Sequence, residues 1–326
     1  MAGGANMKEF SGPFSSYMES FLNLRRSLGF IYERVEYCLY DFDQYLLKNF
    51  PNVKVVSRKI VTDYLKTTCH LSSTTRSDRV SDLRQFLKFL FQFNTATYIP
   101  EKSLVPPRKV KLRPHIYTEG QLLRLMEAAR GLPPVGSLRP HTYVTIIGLL
   151  WVSGLRIGEV VRLNTEDVDL ELGLLHIRQT KFFKSRIVPI SISTTDALSY
   201  YRKKRDFFCN NLKSINPFFV NQRLARCNKH TIQSTFRELA TKINLKTPQG
   251  TFPRLHDFRH TFATRWIDDL YKSGKDPNAY LPILATYLGH ANIANTQVYL
   301  HMSMELLHNA GERLRKYIKN NSRGLR

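Results

Sequence analysis

Apolar side chains in the first hundred residues recur every three or four positions, which is the spacing of amphipathic helices. The pattern predicts four helices: over residues 14–29, from Ile31 to about Pro51, after a capping Ser57, and over residues 80–93. No strand-like alternation interrupts them. Residues 10–100 are therefore expected to form a small helical domain, preceded by a disordered segment over residues 1–9.

A different pattern begins at Thr118. With Gln121 it forms a capping box that predicts the start of a helix. The almost wholly apolar residues 142–153 predict a buried helix, after which Gly154 turns the chain and a helix over residues 157–163 begins. Arg156 is thus expected at a helix start, where anions are favoured.

Three short, β-branched segments then predict a three-stranded antiparallel sheet, over residues 168–170, 174–180 and 185–191. Further helices are predicted over residues 194–208, 230–243 and 256–271, from Pro282 to Gly289, after a capping Asn295, and over the amphipathic residues 306–318. The fold class is therefore mainly α with a small antiparallel β-sheet. The second domain is expected over residues 118–302, and residues 303–326 form a separate C-terminal helix and tail.

Residues 101–117 are predicted to be a linker, because their prolines prevent a continuous helix. After Glu101 the charges in this segment are all basic, and they include Lys109, Lys111 and Arg113. An extended basic connector suits a protein that wraps a DNA duplex, with these three side chains along the phosphate backbone.

The charge of the whole chain supports a polyanionic partner. Its 326 residues carry a net charge of +23, with 18 basic against 10 acidic residues up to Tyr117 and 31 against 16 after it. Both domains are thus expected to contact DNA. In the segment that leads into the fourth helix of the first domain, we expect Thr75, Arg76 and Arg79 to bind phosphates.

Other compartments and cofactors are less favoured. The sequence has no apolar run of about 18–20 residues and no signal peptide, which predicts no membrane contact and a location in the bacterial cytoplasm, at the nucleoid. The four cysteines are scattered without C-x-x-C spacing and are expected to be reduced structural thiols. The sequence contains no cluster of carboxylates that would indicate a magnesium site. We therefore expect neither a metal nor another cofactor.

A set of polar residues in three distant segments suits attack on a phosphodiester. Arg156 and Arg259 would hold the non-bridging oxygens, since guanidinium binds phosphate bidentately and stays charged. Tyr299 would be the nucleophile, and a phenol with a pKa of about 10 needs a positive environment to react near neutrality. His256 and His290 would donate to the phosphate or move a proton.

Supporting roles are assigned to other residues nearby. Lys181, in the turn between the second and third strands, is the candidate general acid for the leaving oxygen, although Lys184 in the same turn remains open. Glu159 is expected to orient Arg156 rather than transfer protons, and His260 is expected to be structural.

As a set, these segments resemble the tyrosine recombinases, also called the phage integrase family. The matching stretches are SGLRIGEV (residues 153–160), the Lys181 hairpin, LHDFRHTFAT (255–264), YLGH (287–290) and Tyr299. The resemblance implies a core-binding domain over residues 10–100 and a catalytic domain over residues 118–302. It also implies cleavage to a 3′-phosphotyrosine and strand exchange through a Holliday junction.

The resemblance further implies a homotetramer on double-stranded DNA with an inverted-repeat core site, monomeric or weakly dimeric when free. The segment after Tyr299 would dock on a neighbouring protomer, and accessory recombination proteins could take part. The connection over residues 266–282 looks longer than is usual in the family, as in recombinases of mobile elements and site-specific transposons. Integration or excision of such an element is therefore the favoured role.

Four alternatives stay open. A chromosome-dimer resolution recombinase and a type IB topoisomerase share the chemistry. A zinc metallohydrolase could use His256 and His260, which are spaced like the histidines of H-E-x-x-H, but Asp257 and Arg259 do not fit that motif. A regulator that has lost catalysis would not need all six residues of the set.

Overall fold

The computed structural model describes residues 9–30, 32–105, 114–178, 185–209, 216–290 and 292–301, together with Gly311 and Arg315. The chain divides into two compact units, Met1–Leu112 and Arg113–Arg326. Their boundary falls within the segment predicted as a linker. We call them the helical unit and the α+β unit.

The helical unit is built from four amphipathic helices. They are α1 (Ser15–Ser27), α2 (Glu33–Asn49), α3 (Arg58–Thr67) and α4 (Ser73–Leu90). Ser57 caps α3 by accepting a hydrogen bond from the Ile60 backbone N–H, as its position before an apolar repeat predicts. The helices enclose one core, in which Phe21, Phe42 and Phe86 have no exposed surface.

The α+β unit contains most of the remaining helices. They are α5 (Glu119–Arg130), α6 (Leu138–Ser153), α7 (Ile157–Arg162), α8 (Ile192–Phe208), α9 (Lys229–Lys242), α10 (Asp257–Lys272), α11 (Pro277–Leu288) and α12 (Ala294–Gln297). The predicted capping box is present: Thr118 accepts from the Gln121 backbone, and the Gln121 side chain accepts from the Thr118 backbone.

A three-stranded antiparallel sheet lies between α7 and α8 in the chain. Its strands are β1 (Val168–Asp169), β2 (Leu174–Ile177) and β3 (Arg186–Pro189), in the order β1-β2-β3. Leu175 pairs with Val188 and both are fully buried, while Ile187 is exposed, which is the alternation of a sheet with one covered face. The predicted fold class, mainly α with a small antiparallel sheet, is confirmed.

Two helix starts near the end of the chain were predicted wrongly. Helix α11 begins at Pro277, after Asp276 caps it through the Asn278 backbone, and Pro282 lies inside the helix. Helix α12 begins at Ala294, whose N–H is bound by the Asn292 side chain rather than by Asn295. An Asp-Pro pair is itself a helix start, because proline is favoured at the first helical position.

The same finding corrects the interpretation of residues 266–282 as a long connection. Helix α10 continues to Lys272 and α11 begins at Pro277, so only residues 273–276 separate two regular helices. This segment therefore no longer distinguishes one type of recombinase from another.

The core of the α+β unit has two parts. The larger joins α5–α9 with the sheet, and the smaller joins α10 and α11 through residues such as Ile267, Leu284 and Leu288. Tyr299, in a short 3-10 turn after α12, belongs to the smaller part and is only 2% exposed. Within the described ranges, no helix is long and apolar enough to cross a membrane.

Candidate active site

Arg259 is the centre of the site. It lies in the first turn of α10 and is 1% exposed. Its Nη1 donates to the Gly154 carbonyl oxygen at 3.1 Å, and its Nη2 donates to the Leu288 carbonyl oxygen at 2.6 Å. These contacts use two of the five N–H donors of a guanidinium. One side chain thus joins three segments that the sequence analysis singled out, and it keeps donors for a ligand.

Gly154 makes this arrangement possible. It ends α6 in the left-handed conformation, with φ of 59°, which glycine adopts at little cost. A Cβ at this position would lie 2.6 Å from Cδ1 of Phe262 on α10, so the two helices could not approach as closely. The tight turn brings Arg156 to the N-cap position of α7.

Glu159 holds Arg156 in place. Its carboxylate accepts from the Arg156 backbone N–H at 3.0 Å and from Arg156 Nη1 at 2.9 Å. A second arginine, Arg186 on β3, donates to both oxygens of the same carboxylate, at 3.1 and 2.9 Å. Burial acts to raise the pKa of Glu159, but the hydrogen bond and charge of Arg186, followed by Arg156, hold it below its usual value.

Tyr299 lies beside two histidines. Its ring stacks on that of His290, with ring centres 6.2 Å apart and planes inclined by 17°, and it meets His260 edge-on at 5.4 Å. His290 follows the left-handed Gly289 that ends α11, and its Nδ1 is 2.8 Å from the Thr296 hydroxyl. The predicted nucleophile therefore packs within the site of its own chain.

The positive charges of the site act on every titratable group around it. Burial lowers the pKa of Arg259 to about 10, and the nearby charge of Arg156 adds to this, so the guanidinium stays protonated at neutral pH. Burial raises the pKa of Tyr299, although Arg259, through its charge and a hydrogen bond, and Arg156 act in the opposite direction. The phenol of Tyr299 is thus protonated at neutral pH.

The three histidines are neutral near pH 7. Burial, followed by the charges of Arg259 and Arg156, lowers the pKa of His290 to about 4. Burial and the neighbouring His256 lower the pKa of His260 to about 4 as well. For His256, partial desolvation and then Arg259 lower the pKa, and its ring lies edge-on to His260 with centres 5.0 Å apart. Neutral imidazoles can each donate and accept one hydrogen bond.

The structure brings together five of the six predicted catalytic residues: Arg156, His256, Arg259, His290 and Tyr299. The sixth, Lys181, lies outside the described residues. So do Lys184, which was its alternative, and the linker residues Lys109, Lys111 and Arg113.

The three residues predicted to bind DNA on α4 differ in their surroundings. Thr75 is exposed and contacts the Ser72 cap through its hydroxyl. Arg76 is partly buried and donates to the Leu65 carbonyl oxygen at 3.4 Å. Arg79 is engaged inside the helical unit, where it pairs with Asp41 and bonds the Tyr64 hydroxyl. Arg79 therefore has a structural role, and its availability for a phosphate is lower than predicted.

Two residues of the site were missed by sequence reasoning. Arg186 looked like one of many basic residues, although it is the first residue of β3, close to the Lys181 turn. Thr296 was not distinguished from the neighbouring polar residues. Nothing in the local pattern predicts either contact, because the partner of each comes from another element.

The arrangement is suited to binding a phosphate and presenting a phenol to it. Arg156, whose side chain is 36% exposed, and the free donors of Arg259 can hold non-bridging oxygens, and the neutral histidines can complete the shell. Within the described ranges, no three metal-ligating side chains lie close enough together to hold an ion.

Comparisons with known proteins agree with this chemistry. A putative integrase/recombinase of Sinorhizobium fredii, y4rB, is 35% identical over 307 residues, which are 93% of this chain and 97% of that protein. A tyrosine recombinase XerC of Thermodesulfovibrio yellowstonii is 28% identical over 239 residues, 72% of this chain and 74% of that protein.

The fold is likewise shared. A crystal structure of the XerH site-specific recombinase, in a post-cleavage complex with a palindromic difH substrate, matches with a TM-score of 0.63 and 19% identity, covering 91% of this chain and 83% of that chain. The family model described as "Phage integrase family" matches residues 116–305. The chain therefore belongs to the phage integrase family, the tyrosine recombinases.

Proposed function

We propose that this protein is a site-specific recombinase that cuts and rejoins DNA through a covalent bond to Tyr299. The observation that carries the proposal is the position of Tyr299, stacked on His290 with the charges of Arg259 and Arg156 near its hydroxyl. A buried phenol beside two arginines suits a nucleophile that reacts only when a phosphate is bound.

In the proposed reaction, the oxygen of Tyr299 attacks a phosphorus atom of the DNA backbone, and its phenolic proton passes to one of the neutral histidines, His256 or His290. The bond from phosphorus to the 5′ oxygen breaks, which leaves a 3′-phosphotyrosine and a free 5′-hydroxyl. Arg156 and Arg259 stabilise the charge on the non-bridging oxygens, with His256 and His290 as further donors. Rejoining is the reverse step, in which a 5′-hydroxyl attacks the phosphotyrosine and releases the tyrosine.

The leaving 5′ oxygen needs a proton. Lys181 is the proposed donor, with Lys184 as the alternative, since both lie between β2 and β3 in the sequence. The order of the elements supports this, because β3 begins with Arg186, which is bound to Glu159 in the site.

The biological role we propose is integration or excision of a mobile element. The support is the 35% identity, over nearly the whole length of both chains, to a protein named putative integrase/recombinase. Resolution of chromosome dimers is the alternative, since a XerC also matches, at 28% identity and over less of the chain. The substrate would be double-stranded DNA with an inverted-repeat core site, bound by a homotetramer.

Within such an assembly, residues 10–100, the basic linker and residues 118–302 would all contact the duplex. Residues 303–326 would dock on a neighbouring protomer. The net charge of +23 supports a DNA contact of this extent.

The test first recovers the target DNA. The protein is incubated with fragments of the chromosome that encodes it, the mixture is denatured with detergent, and DNA that stays covalently attached is sequenced. A nicked duplex of the recovered site should then trap an adduct at Tyr299. Tyr299→Phe should bind the same duplex with similar affinity and trap nothing, and an adduct in the Phe variant would refute the assignment.

The recovered sequence also distinguishes the two biological roles. Inverted repeats at the ends of a mobile element that carries the gene support integration or excision. A single chromosomal site shared by strains without the element supports dimer resolution instead.

A further inference from the structure

The carboxylate of Glu159 is shared by two arginines, Arg156 and Arg186, so it does more than orient Arg156. The carboxylate is 2% exposed in its side chain, so its negative charge is buried. It accepts two hydrogen bonds from Arg156 and two from Arg186. Four donors saturate the lone pairs of a carboxylate, so neither oxygen needs a further partner.

The net charge of this group matters for a phosphate. A buried Glu159 paired with Arg156 alone would cancel its charge, and a neutral pair attracts a phosphate weakly. Arg186 adds a second positive charge, so the three side chains together carry +1. The remaining donors of Arg156 then face the site with an effective positive charge.

Arg186 itself is not placed to bind the phosphate. Its side chain is 10% exposed, and its Nε, Nη1 and Nη2 all donate to protein atoms. Three of its five N–H groups are engaged, including both that form the fork with Glu159, so we expect it to act through the groups that it holds.

A second contact of Arg186 reaches the turn before His290. Its Nε donates to the Tyr287 carbonyl oxygen at 2.8 Å. The guanidinium also packs on Gly289, where a Cβ would lie 2.8 Å from Nη1. One side chain on β3 therefore contacts both the start of α7 and the end of α11, next to two predicted phosphate-binding residues, Arg156 and His290.

We propose that Arg186 is a positioning residue of the cleavage reaction: it shares the carboxylate of Glu159 so that Arg156 keeps a net positive charge toward the phosphate, and it holds the turn that carries His290. This inference rests on the proposed function, because it concerns the same reaction at Tyr299. It adds a residue that touches neither the DNA nor Tyr299.

The test measures adduct formation at Tyr299 in a single turnover, with the full-length protein in excess over the nicked duplex. Arg186→Met should slow the reaction by about 100-fold, since a misplaced phosphate ligand has an effect of this order. Arg186→Lys keeps the charge but loses the fork, and we expect a loss of about 10-fold. DNA affinity, measured with each variant in a Tyr299→Phe background, should change little.

A double variant separates positioning from general stability. In Arg186→Met the carboxylate of Glu159 binds Arg156 alone and cancels its charge. Adding Glu159→Gln removes the negative charge, so Arg186→Met with Glu159→Gln should react several-fold faster than Arg186→Met. A residue that only stabilises the fold would show further loss in the double variant.

The pH profile gives an independent reading of the same effect. The charged groups that face Glu159 are Arg156, Arg186 and, farther away, Arg259. Without Arg186 the pKa of Glu159 should rise, because burial is then opposed by fewer charges. As pH falls, the rate of Arg186→Met should therefore approach that of the double variant. If Arg186 does not act through Glu159, the ratio of the two rates should stay the same at every pH.

Arg178→Met is the matched control. Arg178, next to the end of β2, pairs with Asp167 and Glu166 and has no bond to Glu159. Its loss removes an arginine ion pair from the same sheet and should leave the rate within about two-fold of wild type. Thermal unfolding of every variant identifies any that fails to fold, in which case Arg186→Lys carries the test.

The two proposals fail in different ways. If the wild-type protein forms no adduct at Tyr299, the proposed function is wrong and the role of Arg186 falls with it. If the wild type forms the adduct and Arg186→Lys and Arg186→Met react at the same rate as the wild type, only the role of Arg186 is refuted.

Discussion

Each unit uses one arginine to join several of its elements, but the charge of that arginine is treated differently in the two units. In the helical unit, Arg79 is paired with the carboxylate of Asp41 and with the Tyr64 hydroxyl. In the α+β unit, Arg259 is almost fully buried and donates to two backbone carbonyls, and among the described residues no carboxylate forms an ion pair with it. The first charge is balanced by a carboxylate of the same unit, whereas the second has no such partner among the described residues and suits binding of an anion from outside.

The presence or absence of a paired carboxylate distinguishes a structural arginine from a functional one more clearly than burial does. A buried guanidinium without a counter-ion costs stability, and proteins keep such groups where a ligand will supply the charge. The lowered pKa of Arg259, caused by burial and by Arg156, expresses the same cost. The comparison therefore predicts that substitution of Arg259 mainly slows cleavage, whereas substitution of Arg79 mainly lowers the free energy of unfolding.

The largest expected effect is that of Arg259→Met on the rate of DNA cleavage. Removing the guanidinium should slow adduct formation at Tyr299 by about 1000-fold, because the charge that develops on the phosphate loses its main buried donor. Arg79→Met should leave the rate within about two-fold once the DNA is saturated with protein. Single-turnover trapping on the nicked duplex measures both, and equal losses in the two variants would contradict the distinction.

Acid should destabilise the α+β unit more than the helical unit. His260 and His290 have a pKa of about 4 when folded, against 6.5 when unfolded, so the unfolded chain binds more protons between these values. Stability is complete above about pH 6.5 and is lost as pH falls toward 4, by at most about 3 kcal/mol for each histidine. The helical unit has a single histidine, His70, and it is exposed.

This prediction can be followed by fluorescence, because both tryptophans, Trp151 and Trp266, belong to the α+β unit. The denaturant concentration at the unfolding midpoint, detected by tryptophan fluorescence, should fall steeply as the pH is lowered from 6.5 to about 4. His260→Asn should make this dependence on pH less steep. An unchanged slope in the variant would show that His260 is not the group that titrates.

A smaller effect is expected on the stability of the helical unit. Arg79→Met removes the donor of the Tyr64 hydroxyl and one of two donors of Asp41, which keeps the bond from Tyr64, and we expect a loss of about 1 kcal/mol in the free energy of unfolding. Adding Asp41→Asn should recover part of it, since the unpaired charge is then absent. Chemical denaturation detected by circular dichroism would measure both variants, and a fully additive pair would argue against a direct interaction.

The contrast also explains what the sequence could predict. Helices such as α2 and α5 follow from local patterns, namely apolar spacing and a capping box, and the structure contains them. The contact between Glu159 and Arg156 follows from their spacing at the start of one helix. Arg79 and Arg259, however, are both arginines on helices, and only the tertiary packing around each decides whether a carboxylate is near.

Errors arose where a local signal was ambiguous or a partner was distant. The Asp276–Pro277 pair was interpreted as part of a loop although it begins α11, so the connection seemed longer than it is. Arg186 could not be assigned, because its partners Glu159 and Tyr287 come from two other helices. Sequence spacing carries no information about contacts of this kind.

The same distinction between engaged and unengaged polar groups applies inside the α+β unit, where it predicts the smallest effect. Thr296 and Thr264 are both buried, with 0% and 2% exposure. The Thr296 hydroxyl contacts Nδ1 of His290 at 2.8 Å, whereas the Thr264 hydroxyl has no hydrogen-bond partner among the described residues. Thr296 should therefore orient the histidine and set its tautomer, and Thr264 should not.

Thr296→Val is expected to slow adduct formation by about 10-fold, the rate equivalent of one lost hydrogen bond. DNA affinity should be unchanged. Thr264→Val keeps the shape, removes an unpaired hydroxyl, and should leave the rate unaffected with equal or higher stability. If both valine variants cleave alike, His290 does not depend on Thr296, and the orientation of the imidazole must come from the stacked ring of Tyr299.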